Sequence, residues 1–101
     1  MEIVVKGRSK ELRKKTVKEI VEYLGIELLG KRLSKNVSVT VEFIDLPMTC
    51  YGMCDPYQYE QTQYREFVIF INKHMKKRKT IKTIIHEMVH VKQFARNQYR
   101  Q

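Results

Sequence analysis

Between Val37 and Phe43 the chain alternates without exception: Val37, Val39, Val41 and Phe43 on one side, Ser38, Thr40 and Glu42 on the other. A period of two places these sets on opposite faces of an extended strand, so one face has to be buried by other elements. Two further segments read as strands. Glu2–Lys6 carries three consecutive β-branched residues, and Phe67-Val68-Ile69-Phe70-Ile71 is a continuous apolar run of strand length, crowded on both sides.

The cover comes from segments of helical period. Leu12, Val17, Ile20, Val21, Leu24 and Leu28 recur three or four residues apart, with Lys10, Arg13, Lys14, Lys18 and Glu22 on the other side. Ser9 reads as the N-cap of this helix and Gly30 as its stop, with a distortion at Gly25. A last helix runs from Thr80, its N-cap, to about Asn97. With 101 residues, 43% of them hydrophobic, there is material for one modest core and one domain, 1–101. The order strand, helix, strand, irregular segment, strand, helix defines an α+β fold. We expect a small twisted sheet of three or four strands with both helices on one face. The irregular segment Asp45–Gln63 is long for a structureless loop in so small a domain. A short strand near Met48–Cys54, pairing with Phe67–Ile71, is expected within it.

The chemistry is concentrated in the last helix, in His86-Glu87-Met88-Val89-His90. Residues i and i+4 lie one turn apart and about 40° around the axis. Two imidazoles so placed reach one tetrahedral Zn²⁺ at about 2.0–2.1 Å each. Both must be neutral to bind, which an imidazole of ordinary pKa near 6.5 allows at neutral pH. Glu87 points to the side, where its carboxylate can take a proton from a water that the metal activates and return it to a leaving amine. Ile81, Ile84, Ile85, Met88, Val89 and Ala95 form an apolar arc about 180° from the bisector of the two histidines. Gln93 and Asn97 continue the polar histidine side. The competing reading, two surface histidines on an ordinary packed helix, needs three fixed residues that arise by chance in roughly one such sequence in several hundred.

Ile84-Ile85-His86-Glu87-Met88-Val89-His90-Val91-Lys92-Gln93 resembles the active-site helix of zincin (HExxH) zinc metallopeptidases, most closely the small SprT-like and minigluzincin-type proteins, including phage-type examples. The preceding strand, Arg65–Ile71, is similar to the strand before that helix in the group. The resemblance spans residues 37–97, and its specific residues are His86, Glu87 and His90. It implies that His86 and His90 bind zinc, that Glu87 is the general base, and that an exposed sheet edge holds a peptide or protein substrate extended by backbone hydrogen bonds.

One part of the pattern departs from the family. Catalytic zinc sites ordinarily have three protein ligands, and in zincins the third usually follows the motif. The eleven residues after His90 include no Asp, Glu, His or Cys. Gln93 and Arg96 stand where the metzincin extension has Gly and His. Three explanations stand open: a third ligand, a Glu, beyond Gln101, which would make the domain C-terminally incomplete; an upstream ligand from Glu60, Asp55, His74 or Cys54; or a site that binds zinc weakly or not at all. We expect the first.

Cys50 and Cys54 lack the C-x-x-C spacing of a metal or redox pair and read as buried small hydrophobes. A thiolate capping the zinc is the functional alternative. His74 reads as a loop histidine. Two cysteines, no secretory signal and no apolar run long enough to span a bilayer make a cytoplasmic location the expectation and exclude membrane insertion.

The protein holds 20 Lys and Arg against 11 Asp and Glu, a net charge of +9. Lys73, Lys76, Lys77, Arg78, Lys79 and Lys82 crowd the start of the last helix, where the helix dipole disfavours cations. This is either a solvated loop or a surface for nucleic acid or another acidic partner. The resemblance favours the second, since SprT-like enzymes tend to act near DNA. Two functions therefore stand side by side: a zinc metallopeptidase, and a non-catalytic basic binding module with a zincin-like fold.

Overall fold

In the computed structural model, described for residues 1–47, 52–56 and 65–96, the elements run β1 (Glu2–Lys6), α1 (Lys14–Ser34), β2 (Ser38–Ile44), β3 (Gly52–Pro56), β4 (Glu66–Asn72) and α2 (Lys77–Ala95). They form a four-stranded sheet in the order β1-β2-β4-β3. β1, β2 and β4 are parallel, and β3 joins the edge antiparallel to β4. The α+β class holds, and β3 overlaps the strand expected near Met48–Cys54 and pairs with β4 as expected; residues 48–51 lie outside the described residues.

Register explains how the helix-covered face is closed. Val39 pairs with Phe67, Val41 with Ile69 and Phe43 with Ile71, so the alternating side of β2 and the odd-numbered side of β4 form one apolar surface. These residues, with Val37, are at most 5% exposed, and they share a core with Val17, Val21 and Leu29 of α1 and Ile84, Met88, Val91 and Ala95 of α2. Both helices therefore cover the same face. The other face carries Val68, buried, Thr40 and Glu42, half-buried, and Val4, exposed.

Helix boundaries depart from the sequence expectation for non-local reasons. α1 begins at Lys14 rather than after Ser9. The Ser9 hydroxyl accepts from the Glu11 and Leu12 N–H groups at 3.2 and 3.3 Å and caps a turn instead. That turn is held against the start of α2: the Lys10 N–H donates to the Lys73 carbonyl, and the Lys77 N–H donates to the Glu11 carboxylate at 3.3 Å. α2 starts at Lys77, three residues before Thr80. Its first turn has no acidic residue and no cap from its own side chains, so Glu11 supplies the anion that a helix N-terminus favours.

Gly30 interrupts α1 as expected, but one more turn follows, to Ser34. Its φ of 82° and ψ of 162° belong to a region essentially reserved for glycine. The break leaves the Leu29 carbonyl without its helical partner, and the Arg96 guanidinium donates to it at 2.8 Å. Arg96, which the sequence marks only as a departure from a metal-ligand pattern, thus ties the end of α2 to the kink in α1. Arg96→Met should destabilise the fold by about 1–2 kcal/mol, the cost of leaving such a carbonyl unpaired, as read by urea denaturation. An unchanged midpoint would show that water replaces the guanidinium.

Asn72, 1% exposed, closes β4. Its side chain donates to the Leu46 and Pro47 carbonyls, each at 3.2 Å, and accepts from the His74 N–H at 3.1 Å. It thereby fixes the turn that leads into α2.

Candidate metal centre

α2 presents its motif on a flank rather than opposite the core. Its buried residues are Thr80, Thr83, Ile84, Glu87, Met88, Val91 and Ala95, a stripe repeating every three or four residues. Ile85 and Val89, expected on the buried arc, are 42% and 37% exposed, while Val91 is fully buried. At about 100° per residue, the core-facing direction lies about 120° from the histidine bisector rather than 180°. The difference places Glu87 between the two directions, buried at 5% exposure, with His86 exposed and His90 half-buried beside it.

The three side chains form one group. A ligand atom from each of His86, Glu87 and His90 lies within 4.8 Å of the others, an arrangement able to hold a metal ion. The imidazole rings stand 4.9 Å apart, centre to centre, and nearly perpendicular at 88°. Burial pushes the Glu87 carboxyl above its ordinary pKa, opposed by attraction to His90 and then His86.

The donor set also passes a tautomer test. His90 Nδ1 lies 3.0 Å from Gln93 Oε1. A carboxamide oxygen accepts, so this contact favours the tautomer with the proton on Nδ1, which leaves the Nε2 lone pair for a metal. Sequence spacing places Gln93 on the histidine side without giving it a role; a side-chain acceptor at i+3 was the available signal. Gln93→Leu should weaken zinc binding about 10–100-fold, measured by competition with a chromogenic chelator. Undiminished affinity would show that the tautomer needs no support.

Other sequence candidates fall elsewhere. His74 lies in the turn before α2, with Nε2 2.7 Å from Asp45 Oδ1, and it does not join the histidine group. Cys50 and Glu60, and the side chains of Cys54 and Asp55, lie outside the described residues, as does Asn97.

The sheet edge beside this flank is β3. A Cβ built on Gly52 would come within 2.8 Å of both the Phe70 carbonyl oxygen and Thr83 Cγ2, so glycine is what lets β3 approach α2 this closely. Thr83 sits one turn before Glu87. β3 pairs with β4 on one side, and no strand among the described residues pairs with the other.

No family model matches the sequence, and no characterised protein or solved structure aligns with it significantly. No helix among the described residues is long and apolar enough to cross a membrane.

Proposed function

We propose that the protein is a zinc-dependent metallopeptidase domain, or the metal-binding core of one. The observation that carries this reading is the convergence of two imidazoles and a buried carboxylate on one flank of α2. Two imidazole nitrogens suit zinc, and the adjacent Glu87 carboxylate is left free to act as a base. His86 and His90 would hold the ion. When bound, it supplies a Lewis acid that activates water and polarises a scissile carbonyl.

The remaining work falls to the protein's own groups. Glu87 takes the proton from the attacking water and delivers it to the departing amine nitrogen, so the peptide bond is cleaved with no net proton change at the enzyme. Gln93 holds the His90 ring in its metal-binding tautomer. β3 offers its outer edge to an extended peptide beside α2. No further His, Cys, Asp or Glu among the described residues joins this group; Glu60 and the side chains of Asp55 and Cys54 lie outside them.

The test is zinc content after reconstitution, together with hydrolysis of a quenched fluorescent peptide library. One zinc per molecule and zinc-dependent cleavage are expected. A protein that takes up no zinc from micromolar solution overturns the proposal and leaves the non-catalytic binding module as the better account.

A further inference from the structure

The positive charge of this protein is gathered at one end. Three adjoining cavities open where the parallel strands finish and both helices begin. The first, about 470 Å³, is walled by residues 8–14. The second, about 280 Å³, shares Arg8, Ser9 and Lys10 with it and adds Lys73 and His74. The third, about 540 Å³, shares His74 and continues along the first turns of α2 to Lys82.

Nine of the twenty Lys and Arg residues line these cavities, against one of the eleven acidic residues, Glu11. The Glu11 carboxylate is already engaged by the Lys77 N–H. The rest of the molecule holds eleven cations and ten acids and is close to neutral. Lys77 adds a cation and Asp45, bonded to His74, an acid beside the cavities, so most of the positive charge excess among the described residues sits on this end. Collecting like charges costs the fold through self-repulsion, and a polyanion laid along the cavities would relieve that cost.

The chemistry of the lining narrows the partner. Its apolar side chains, Leu12 and Met75, are only 8% and 6% exposed, leaving nothing apolar to insert into a bilayer. His74 is the one aromatic ring among the described lining residues, so a stacking platform for unpaired bases is missing there. Adjoining grooves lined by lysine and arginine offer several cations to phosphate oxygens. We propose that this end of the molecule binds double-stranded nucleic acid through its phosphate backbone, without reading sequence. The site is separate from the metal centre, although Lys82 precedes His86 by only one helical turn.

The experiment is fluorescence anisotropy of the metal-free protein on a short DNA duplex, titrated between about 50 and 200 mM salt. The groove variant combines Lys10→Gln, Lys73→Gln, Lys76→Gln and Lys82→Gln. The control combines Lys18→Gln, Lys31→Gln, Arg32→Gln and Lys35→Gln, removing the same charge outside the cavities. All eight side chains are exposed, so both variants should fold, as circular dichroism would verify. The groove variant should lose at least about tenfold in affinity, and its log–log salt slope should fall by about 3–4 for four lost phosphate contacts. The control should lose less than about threefold. Equal losses in both variants would overturn the proposal by reducing the effect to net charge. So would tighter binding to a single strand of the same length, to vesicles containing phosphatidylserine, or to polyglutamate at matched charge. Because metal is absent throughout, the result is independent of the peptidase reading.

Discussion

Replacing Glu87 by Gln is expected to cut peptide hydrolysis by about 10²–10⁴-fold, the usual contribution of a positioned general base, while zinc content stays at the wild-type level. The two properties separate because His86 and His90 supply the nitrogen donors, whereas Glu87 moves the proton. The same substitution should raise the melting temperature of the metal-free protein at neutral pH. The sign follows from burial. A carboxyl whose folded pKa is raised binds its proton more tightly in the folded state, so the ionised form costs stability above that pKa. The cost fades as pH falls through the raised value toward the ordinary carboxyl range. Glutamine removes it, and the two melting curves should converge in acid. Hydrolysis that survives Glu87→Gln would exclude the proposed mechanism. A lower melting temperature would show that the carboxylate instead makes a stabilising contact in the metal-free fold.

The largest effect on stability is expected at Ile69. It is fully buried in β4, between Val41 of β2 and the position of Cys54 in β3, on the face that both helices cover. Ile69→Ala removes three carbon atoms from a packed interior, at a cost of about 2–5 kcal/mol. Domains of this size have about 5–15 kcal/mol in total, so the variant should unfold at much lower urea or populate the unfolded state outright. Val4→Ala, on the open face at 41% exposure, should change stability by less than about 0.5 kcal/mol. A small loss at Ile69 would contradict the closed helix face, because only a site able to collapse around the gap tolerates such a deletion.

Individual residues show which signals are local. The alternation at Val37–Phe43 is enough to assign a strand and its buried face, because side-chain direction in a strand follows from backbone geometry alone. The i, i+4 spacing of His86 and His90 is likewise sufficient, since a regular helix brings those rings together whatever surrounds it. Ser9 caps a turn rather than the helix expected of it because the competing bonds come from far away: Glu11 reaches Lys77, 66 positions along the sequence. Ile85 and Val89 fall outside the buried face because several apolar arcs fit the helix equally well, and packing against the sheet selects the one containing Val91. Arg96 bonds to Leu29 across 67 positions, a contact that no periodicity encodes.

Local sequence therefore suffices for the set of elements, the α+β class and the side chains that the motif gathers on α2. Each of these depends on residues within a turn or two of one another. The tertiary structure decided the strand order β1-β2-β4-β3, the antiparallel edge strand beside α2, the burial of Glu87 and the gathering of basic side chains from residues 8–14 and 73–82. Each of these joins segments distant in the sequence, and only the packing of both helices on one sheet face brings them together.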